Sequence, residues 1–274
     1  MENDNQPKKK LDPFDNPAPE LLVAQIPAIR STHNLVLNKY PVIANHFILA
    51  TKDNKPQTDL LEADDLSLTY ACLQAWKENG HSLFAFFNSG EHSAASQVHR
   101  HLQFIPVEEM IGSDQHDWEL LCQTMTSPAH DDLPLLLNPN FPFVHFAARL
   151  EPGVTESEIH AKYLLLMKAA LASINEGGNL NNLDAVSISH GGRTTFSYNL
   201  AMTSETMAVI PRRNEASAIP GLSSSSVAIN GTILAGTMMV KAEDEWTRFR
   251  EHPELVQHVL NNIAYPRGDA SESS

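Results

Sequence analysis

The stretch FFNSGEHSAASQVHRHLQFIP, residues 86–106, constrains what this chain can fold into more than any other part of it. His99, His101 and Gln103 recur at every second position, and the side chains of a strand alternate between its two faces. An extended strand therefore lays these three polar groups on one wall and Arg100, Leu102 and Phe104 on the other. Neighbours on such a wall stand roughly 6.5–7 Å apart, close enough for two of them to touch one phosphate group. Thirteen histidines in 274 residues give about 0.6 His-x-His pairs by chance, and requiring the Gln lowers that to about 0.02. The triplet is a signal where the pair alone is not. Directly upstream, residues 88–96 are rich in small side chains, which let backbone N–H groups approach an anion closely. Loop and wall suit one task. An imidazole so placed can attack phosphorus, hold the group covalently and pass it on, provided a neighbour fixes its tautomer. Gln103 can hold a phosphate oxygen but cannot pass a proton, which favours a substrate with a good leaving group, such as a polyphosphate.

Composition narrows the partners. A net charge of −14 argues against broad binding to nucleic acid or anionic membrane, so an anionic ligand must meet a locally positive pocket. No apolar run approaches the roughly 20 residues of a bilayer helix, and the N-terminus has no apolar segment of signal-peptide type. Cytoplasmic residence, with the nucleus also open to the protein, is the resulting expectation. Cys72 and Cys122 are the only cysteines and read as ordinary buried thiols. His99 and His101 could share a zinc ion, yet no further His or Cys stands at a recognisable ligand spacing, so no metal site is expected.

Hydrophobic periodicity gives the coarse order of elements. Residues 34–51 read as two short strands around a Pro-containing turn. A helix over 64–78 follows, from Leu66, Thr69, Tyr70, Leu73 and Trp76, and residues 81–88 then read as a buried strand. The stretch 108–142 reads as an excursion from the core. Thr155 and Glu158 form a capping box that opens a helix ending at Gly177-Gly178, and a last helix is expected over 253–263. Residues 34–51 also echo 198–212, each a strand, a turn and a strand. Asn88-Ser89-Gly90 before the histidine strand is echoed by Asn230-Gly231-Thr232 before the apolar AGTMMVK, read as a strand. A duplicated unit with a single histidine pair would have one catalytic centre. The expected fold is α+β, mainly antiparallel sheet with flanking helices.

The segments LVLNKYPVIANHFILAT, QTDLL, FNSGEHSAASQVHRHLQ, SYNLAMT, VIPR and NGTILAGTMMVK, in this order from about residue 19 to 266, resemble the diadenosine tetraphosphate phosphorylases, also called ATP adenylyltransferases, of the histidine triad superfamily. The resemblance implies two fused histidine-triad-like halves, a phosphorylase half over 19–150 and an adenylyltransferase half over 151–266; the ends 1–18 and 267–274, polar and without apolar content, read as disordered tails. It implies that His101 is the nucleophile of an adenylyl-histidine, supported by His99 and Gln103. Along the nucleotide it places Asn38, Lys39, Asn88, Ala94, Ala95, Ser96, Gln97, Asn230, Gly231, Thr232, Thr237 and Lys241, with Arg212 and Arg213 as further candidates for the phosphate tail. Lys8, Lys9 or Lys10 stands in for a phosphate-contacting lysine of the family's longer N-terminus. The implied partners are dinucleoside polyphosphates, ATP, ADP and phosphate, with no covalent cofactor and Mg²⁺ as a companion of polyphosphate. Three positions depart from the pattern: Ala94 replaces a glycine, Val98 an acidic residue and Thr206 a tryptophan. Nucleotide preference is therefore not carried over. A hydrolase of the same superfamily and a nucleotide-binding module without catalysis remain the alternatives, and the oligomeric state is left open.

Overall fold

A computed structural model describes residues 12–111, 118–126, 135–175, 180–223 and 225–267. In chain order the first half holds β1 (Leu22–Ile26), β2 (His33–Leu37), β3 (Phe47–Thr51), α1 (Ala63–Glu78), β4 (Leu83–Ser89), β5 (His101–Pro106) and the four-residue α2 (Leu121–Thr124). The second holds β6 (Phe146–Arg149), α3 (Glu156–Ile174), β7 (Ser189–His190), β8 (Arg193–Thr194), β9 (Ser197–Met202), β10 (Thr206–Arg212), β11 (Ala216–Ala218), β12 (Ser226–Ala228), α4 (Glu243–Glu251) and α5 (Glu254–Ile263). Eight strands form one antiparallel sheet in the order β1-β2-β3-β5-β4-β9-β10-β6. Among the described residues no helix is long and apolar enough to cross a membrane.

β3, β4, β9 and β10 are buried along their whole length, which is why LFAFFNS and TMAVIPR read as near-continuous runs rather than alternating ones. Covering both faces of a sheet demands apolar side chains at both parities. On one face Leu102, Phe104, Phe87 and Leu200 meet the apolar stripes of α1 and α3. On the other, Phe84, Phe86, Ile105 and Ile210 meet the 3₁₀ turn Gly231–Ala235 and residues of α2, α4 and α5. Both long helices start as the sequence requires. Thr155 Oγ1 accepts from the Glu158 amide while Glu158 reaches back to the Thr155 N–H, a cap of about 1 kcal/mol, and the Glu62–Asp65 pair repeats the arrangement on α1.

The topology contains a duplication. β3-α1-β4-β5 and β6-α3-β9-β10 are the same strand–helix–strand–strand unit, joined edge to edge by the β4–β9 pair, with Asn88 opposite Asn199. This corrects the repeat expected from sequence, because the hairpin that matches β9-β10 is β4-β5, not β2-β3. It also moves the junction: Phe146–Arg149 pairs with β10, so a boundary at 150 leaves one strand of the second half in the first. AGTMMVK forms no strand either, since Gly231–Ala235 coils into a 3₁₀ turn that Gly236 ends at φ 86°. Residues 108–142 contribute more than an excursion would: Leu120, Cys122, Met125 and Leu136 are core residues that a four-residue helix is too short to announce by periodicity. The N-terminal tail is likewise shorter than 1–18, because Phe14 is 5% exposed and packs against Val36, Ile48 and Ala50. Lys8, Lys9, Lys10, the Gly177-Gly178 stop and residues 268–274 lie outside the described residues.

Candidate active site

β5 enters the sheet at His101, opposite Ala50 of β3, and Gln103 stands opposite Ile48. His99 lies just before the strand, yet both imidazoles face Phe14, whose ring centroid is 4.9 Å from that of His101 and 5.7 Å from that of His99. The expected wall therefore forms. His101 Nδ1 is 2.9 Å from the His99 carbonyl oxygen. A carbonyl only accepts, so Nδ1 carries the proton and Nε2 keeps its lone pair. No described residue bonds Nε2, and His101 lines the adjoining cleft. Burial drives the His101 pKa down to about 4, with the hydrogen bond to His99 working against it. At neutral pH this imidazole is a free base with a fixed tautomer.

His99 is held on both sides, Nε2 on the Thr51 carbonyl at 2.7 Å and Nδ1 on Asp12 Oδ2 at 2.8 Å. Burial works to raise the Asp12 carboxyl, but the Phe14 amide and His99 outweigh it and keep it below the usual range. Across the sheet, His46 accepts at Nδ1 from the Asn38 carboxamide at 3.0 Å, and its buried ring also interacts with the Gln103 side chain, which works to raise its pKa. Burial lowers its pKa, so the ring is neutral with the proton on Nε2.

The cleft beside His101 encloses about 540 Å³. Asn38, Lys39, Ser96, Gln97 and Gln103 line its polar side; Phe14, Leu21, Val36 and Ile48 line its apolar side. Lys39 is exposed, with Nζ 5.4 Å above the Tyr40 ring. Ala94 and Ala95 belong to the loop between β4 and β5, where Ala94 holds φ 59°. A left-handed conformation costs a residue with a Cβ roughly 1–2 kcal/mol. Ala94→Gly, which removes that Cβ, should raise stability by about 1 kcal/mol in thermal or urea unfolding. In the same loop Gly90 has φ 87°, and a Cβ there would lie 2.3 Å from Ser197 Oγ.

The remaining expected ligand contacts sit elsewhere. Asn88 is buried, and its Oδ1 accepts from Asn199 Nδ2 and from the Gly231 N–H, each at 2.8 Å. Gly231 must be glycine for this approach, since a Cβ would meet Phe86 at 2.7 Å and Asn88 Oδ1 at 2.9 Å. Asn230 Oδ1 caps the 3₁₀ turn by accepting from Thr232 N–H and Oγ1. Asn88 and Gly231 thus join the halves, Asn230 and Thr232 hold the turn that presents Gly231, and none of the four lines the cleft. Thr237 donates its N–H to Thr232 O, Lys241 its N–H to Glu245, and neither lines the cleft. Arg212 is no phosphate ligand: it is 1% exposed, and its guanidinium is consumed by Asn199 Oδ1 and the carbonyls of Ile229, Asn214, Glu215 and Ile263. Arg213 donates to the Asn261 and Asn262 carbonyls at the surface. Sequence reasoning missed Asp12, Phe14, His46 and Gln57. Two of them had a signal: His46 shares the parity of Ile48 and Ala50 on the strand that faces β5, and Gln57 opens the QTDLL segment of the resemblance.

A neutral histidine whose Nε2 no described residue bonds, in a cleft with an amide wall and a small-residue loop, is an arrangement suited to group transfer at phosphorus. Residues 1–120 match the Ap4A phosphorylase N-terminal domain and residues 139–266 the ATP adenylyltransferase C-terminal domain. The chain belongs to the Ap4A phosphorylase family that these two domains make up. It is 29% identical to diadenosine 5',5'''-P1,P4-tetraphosphate phosphorylase 2 of Saccharomyces cerevisiae, over 96% of this chain and 79% of that one. Protein APA1 of the same yeast is also 29% identical, over 93% of this chain and 76% of its own. The crystal structure of yeast Ap4A phosphorylase Apa2 superposes with a TM-score of 0.77 at 27% identity, covering 95% of this chain and 81% of Apa2. That of Apa2 in complex with Ap4A gives 0.75 at 27% identity, covering 94% and 81%.

Proposed function

We propose that this enzyme is a diadenosine tetraphosphate phosphorylase working through an adenylyl group on His101 Nε2. The observation that carries the reading is the free Nε2 of a neutral imidazole whose Nδ1–H is fixed on the His99 carbonyl. Nε2 attacks the α-phosphorus, the P–N bond forms, and the P–O bond to the β-phosphate breaks to release ATP. The positive charge that develops on the ring is met by the His99 carbonyl at Nδ1–H. Gln103, the amides of the 88–96 loop and Lys39 hold the phosphoryl oxygens. Inorganic phosphate then attacks the adenylyl phosphorus, ADP leaves, and Nε2 regains its lone pair. Phosphate arrives as an anion and needs no base, whereas water would, and Gln103 cannot take its proton. Among the described residues no cluster of three or more His, Cys, Asp or Glu is placed to hold a metal ion, and we assign Mg²⁺ to the substrate's own phosphates.

The test is intact-protein mass after brief exposure to diadenosine tetraphosphate without phosphate. The expected result is an acid-labile gain of one AMP, discharged as ADP when phosphate is added. Release of AMP at the same rate without phosphate would identify a hydrolase, and nucleotide binding without any adduct would end the covalent mechanism.

The pH profile follows from the sign of the shift. With its pKa near 4 rather than the ordinary 6.5, His101 stays unprotonated on acidification, so single-turnover adenylylation at pH 5.5 should keep most of its pH 7.5 rate. An acid limb centred near 6.5 would contradict the buried free base. Stability moves the other way: between pH 6.5 and 4 the unfolded chain takes up protons that buried His101 and His145, both pushed to about 4, refuse. The stability these two rings contribute is complete above pH 6.5 and declines down to about pH 4.

A further inference from the structure

Resting on that reading of His101, we propose that Gln57 is a positioning residue that sets the nucleophile through its backbone. Gln57 is 3% exposed and lies outside the cleft lining. Its Oε1 accepts the His101 N–H at 2.8 Å, and its Nε2 donates to the carbonyls of Asn88 at 2.8 Å and His101 at 3.2 Å. One carboxamide thus takes both backbone polar groups of the candidate nucleophile and a third from the neighbouring strand.

The position explains the arrangement. The β4–β5 ladder runs from Leu83–Pro106 to Phe86–Gln103, and the next same-face pair would be Asn88 with His101. Gln57 takes the place of that pair. Its side chain substitutes for the missing ladder bonds and holds the strands one amide apart, where β4 stays with β9 and β5 departs. The loop that carries Ser96 and Gln97 opens at this fork. Gln57 is itself anchored, because residues 55–57 run against 98–100: the Gln57 N–H donates to the Val98 carbonyl and the Arg100 N–H to the Lys55 carbonyl, both at 2.7 Å, with Pro56 bridging to His99. A buried amide with three satisfied bonds to the backbone is stiff, and reacting groups displaced by about 1 Å can lose on the order of 10²-fold in rate.

Gln57→Met keeps the length and removes all three bonds. The expected result is a loss of about 10- to 100-fold in single-turnover adenylylation, with AMP affinity within about threefold of wild type. Gln57→Glu supplies a readout that a merely structural role would not move. Ionised, its carboxylate faces two carbonyls with no proton to share; protonated, it regains one donor, and burial among acceptors favours that form. The ratio of variant to wild-type adenylylation should therefore climb between pH 8 and pH 5.5, with thermal midpoints recorded at each pH. If Gln57→Met does not fold, this ratio still decides. A ratio that is flat with pH, rates equal to wild type, or a parallel loss of AMP affinity would overturn the inference. Wild-type enzyme that takes up no AMP would instead remove the reading of His101 on which it rests.

Discussion

His101→Ala should fold, bind AMP, and take up none of it covalently from diadenosine tetraphosphate, with phosphorolysis lower by at least about 10³-fold. The size of the loss follows from the neighbours, none of which can replace the missing nitrogen. Both nitrogens of His99 are engaged, one with a carbonyl and one with Asp12. His46 has its unprotonated Nδ1 on Asn38, and the amide of Gln103 is no nucleophile. Folding should survive because the ring makes one intramolecular hydrogen bond, worth about 1 kcal/mol, and its contact with Phe14. Thermal unfolding and AMP titration on the same preparation separate a dead nucleophile from a damaged fold. An adduct on the variant, mapped by proteolysis and mass spectrometry to another residue, would move the reaction away from this strand.

What the sequence disclosed and what it hid divide along one physical line. Features encoded within a few residues were legible: the period-two wall of β5, the hairpin of β2 and β3, the helical stripe and capping box of α3. Each is a local pattern that burial enforces directly. The site's supports are long-range. Asp12 reaches His99 across 87 positions and Gln57 reaches His101 across 44, and nothing in a single sequence says that the two ends of such a contact meet. Phe14 sits among prolines and acidic residues, so the composition of 1–18 reads as a tail although one aromatic ring decides otherwise. The opposite error arose at Arg212, where a cation in a region of family resemblance suggested phosphate, while the fold uses it to gather carbonyls from four other residues. Ala94 shows how the two kinds of information meet. Its departure from glycine was visible in the sequence, and its left-handed backbone shows what the glycine was for.

Asp65→Ala should cost about 3–5 kcal/mol, the largest stability loss expected of any substitution outside the central apolar core. This carboxylate is fully buried and serves three partners: Oδ1 takes His33 Nε2 at 2.9 Å, and Oδ2 takes the Arg100 guanidinium at 2.8 Å and the Glu62 N–H at 2.7 Å. Burial alone would raise its pKa, but His33 and Arg100 outweigh that and hold it down. Its contribution is therefore present at neutral pH and is lost as pH falls through the depressed value. Removing it strands Arg100, which is 2% exposed and keeps only half-exposed Glu62, and it takes the capping box from α1 as well. At roughly 2–4 °C per kcal/mol for a chain of this size, the thermal midpoint should fall by about 10 °C. The double variant Asp65→Leu, Arg100→Met removes the stranded charge and fills the space with apolar volume, so it should melt above Asp65→Ala. Arg100 immediately precedes β5, next to His101 with its side chain on the opposite face, so the two variants also bear on catalysis. If the double variant recovers stability but not the adenylylation rate, the buried pair holds the strand in the register the nucleophile needs. If it recovers neither, the loss in Asp65→Ala comes from the cap and from packing, and the unpaired charge is not its cause.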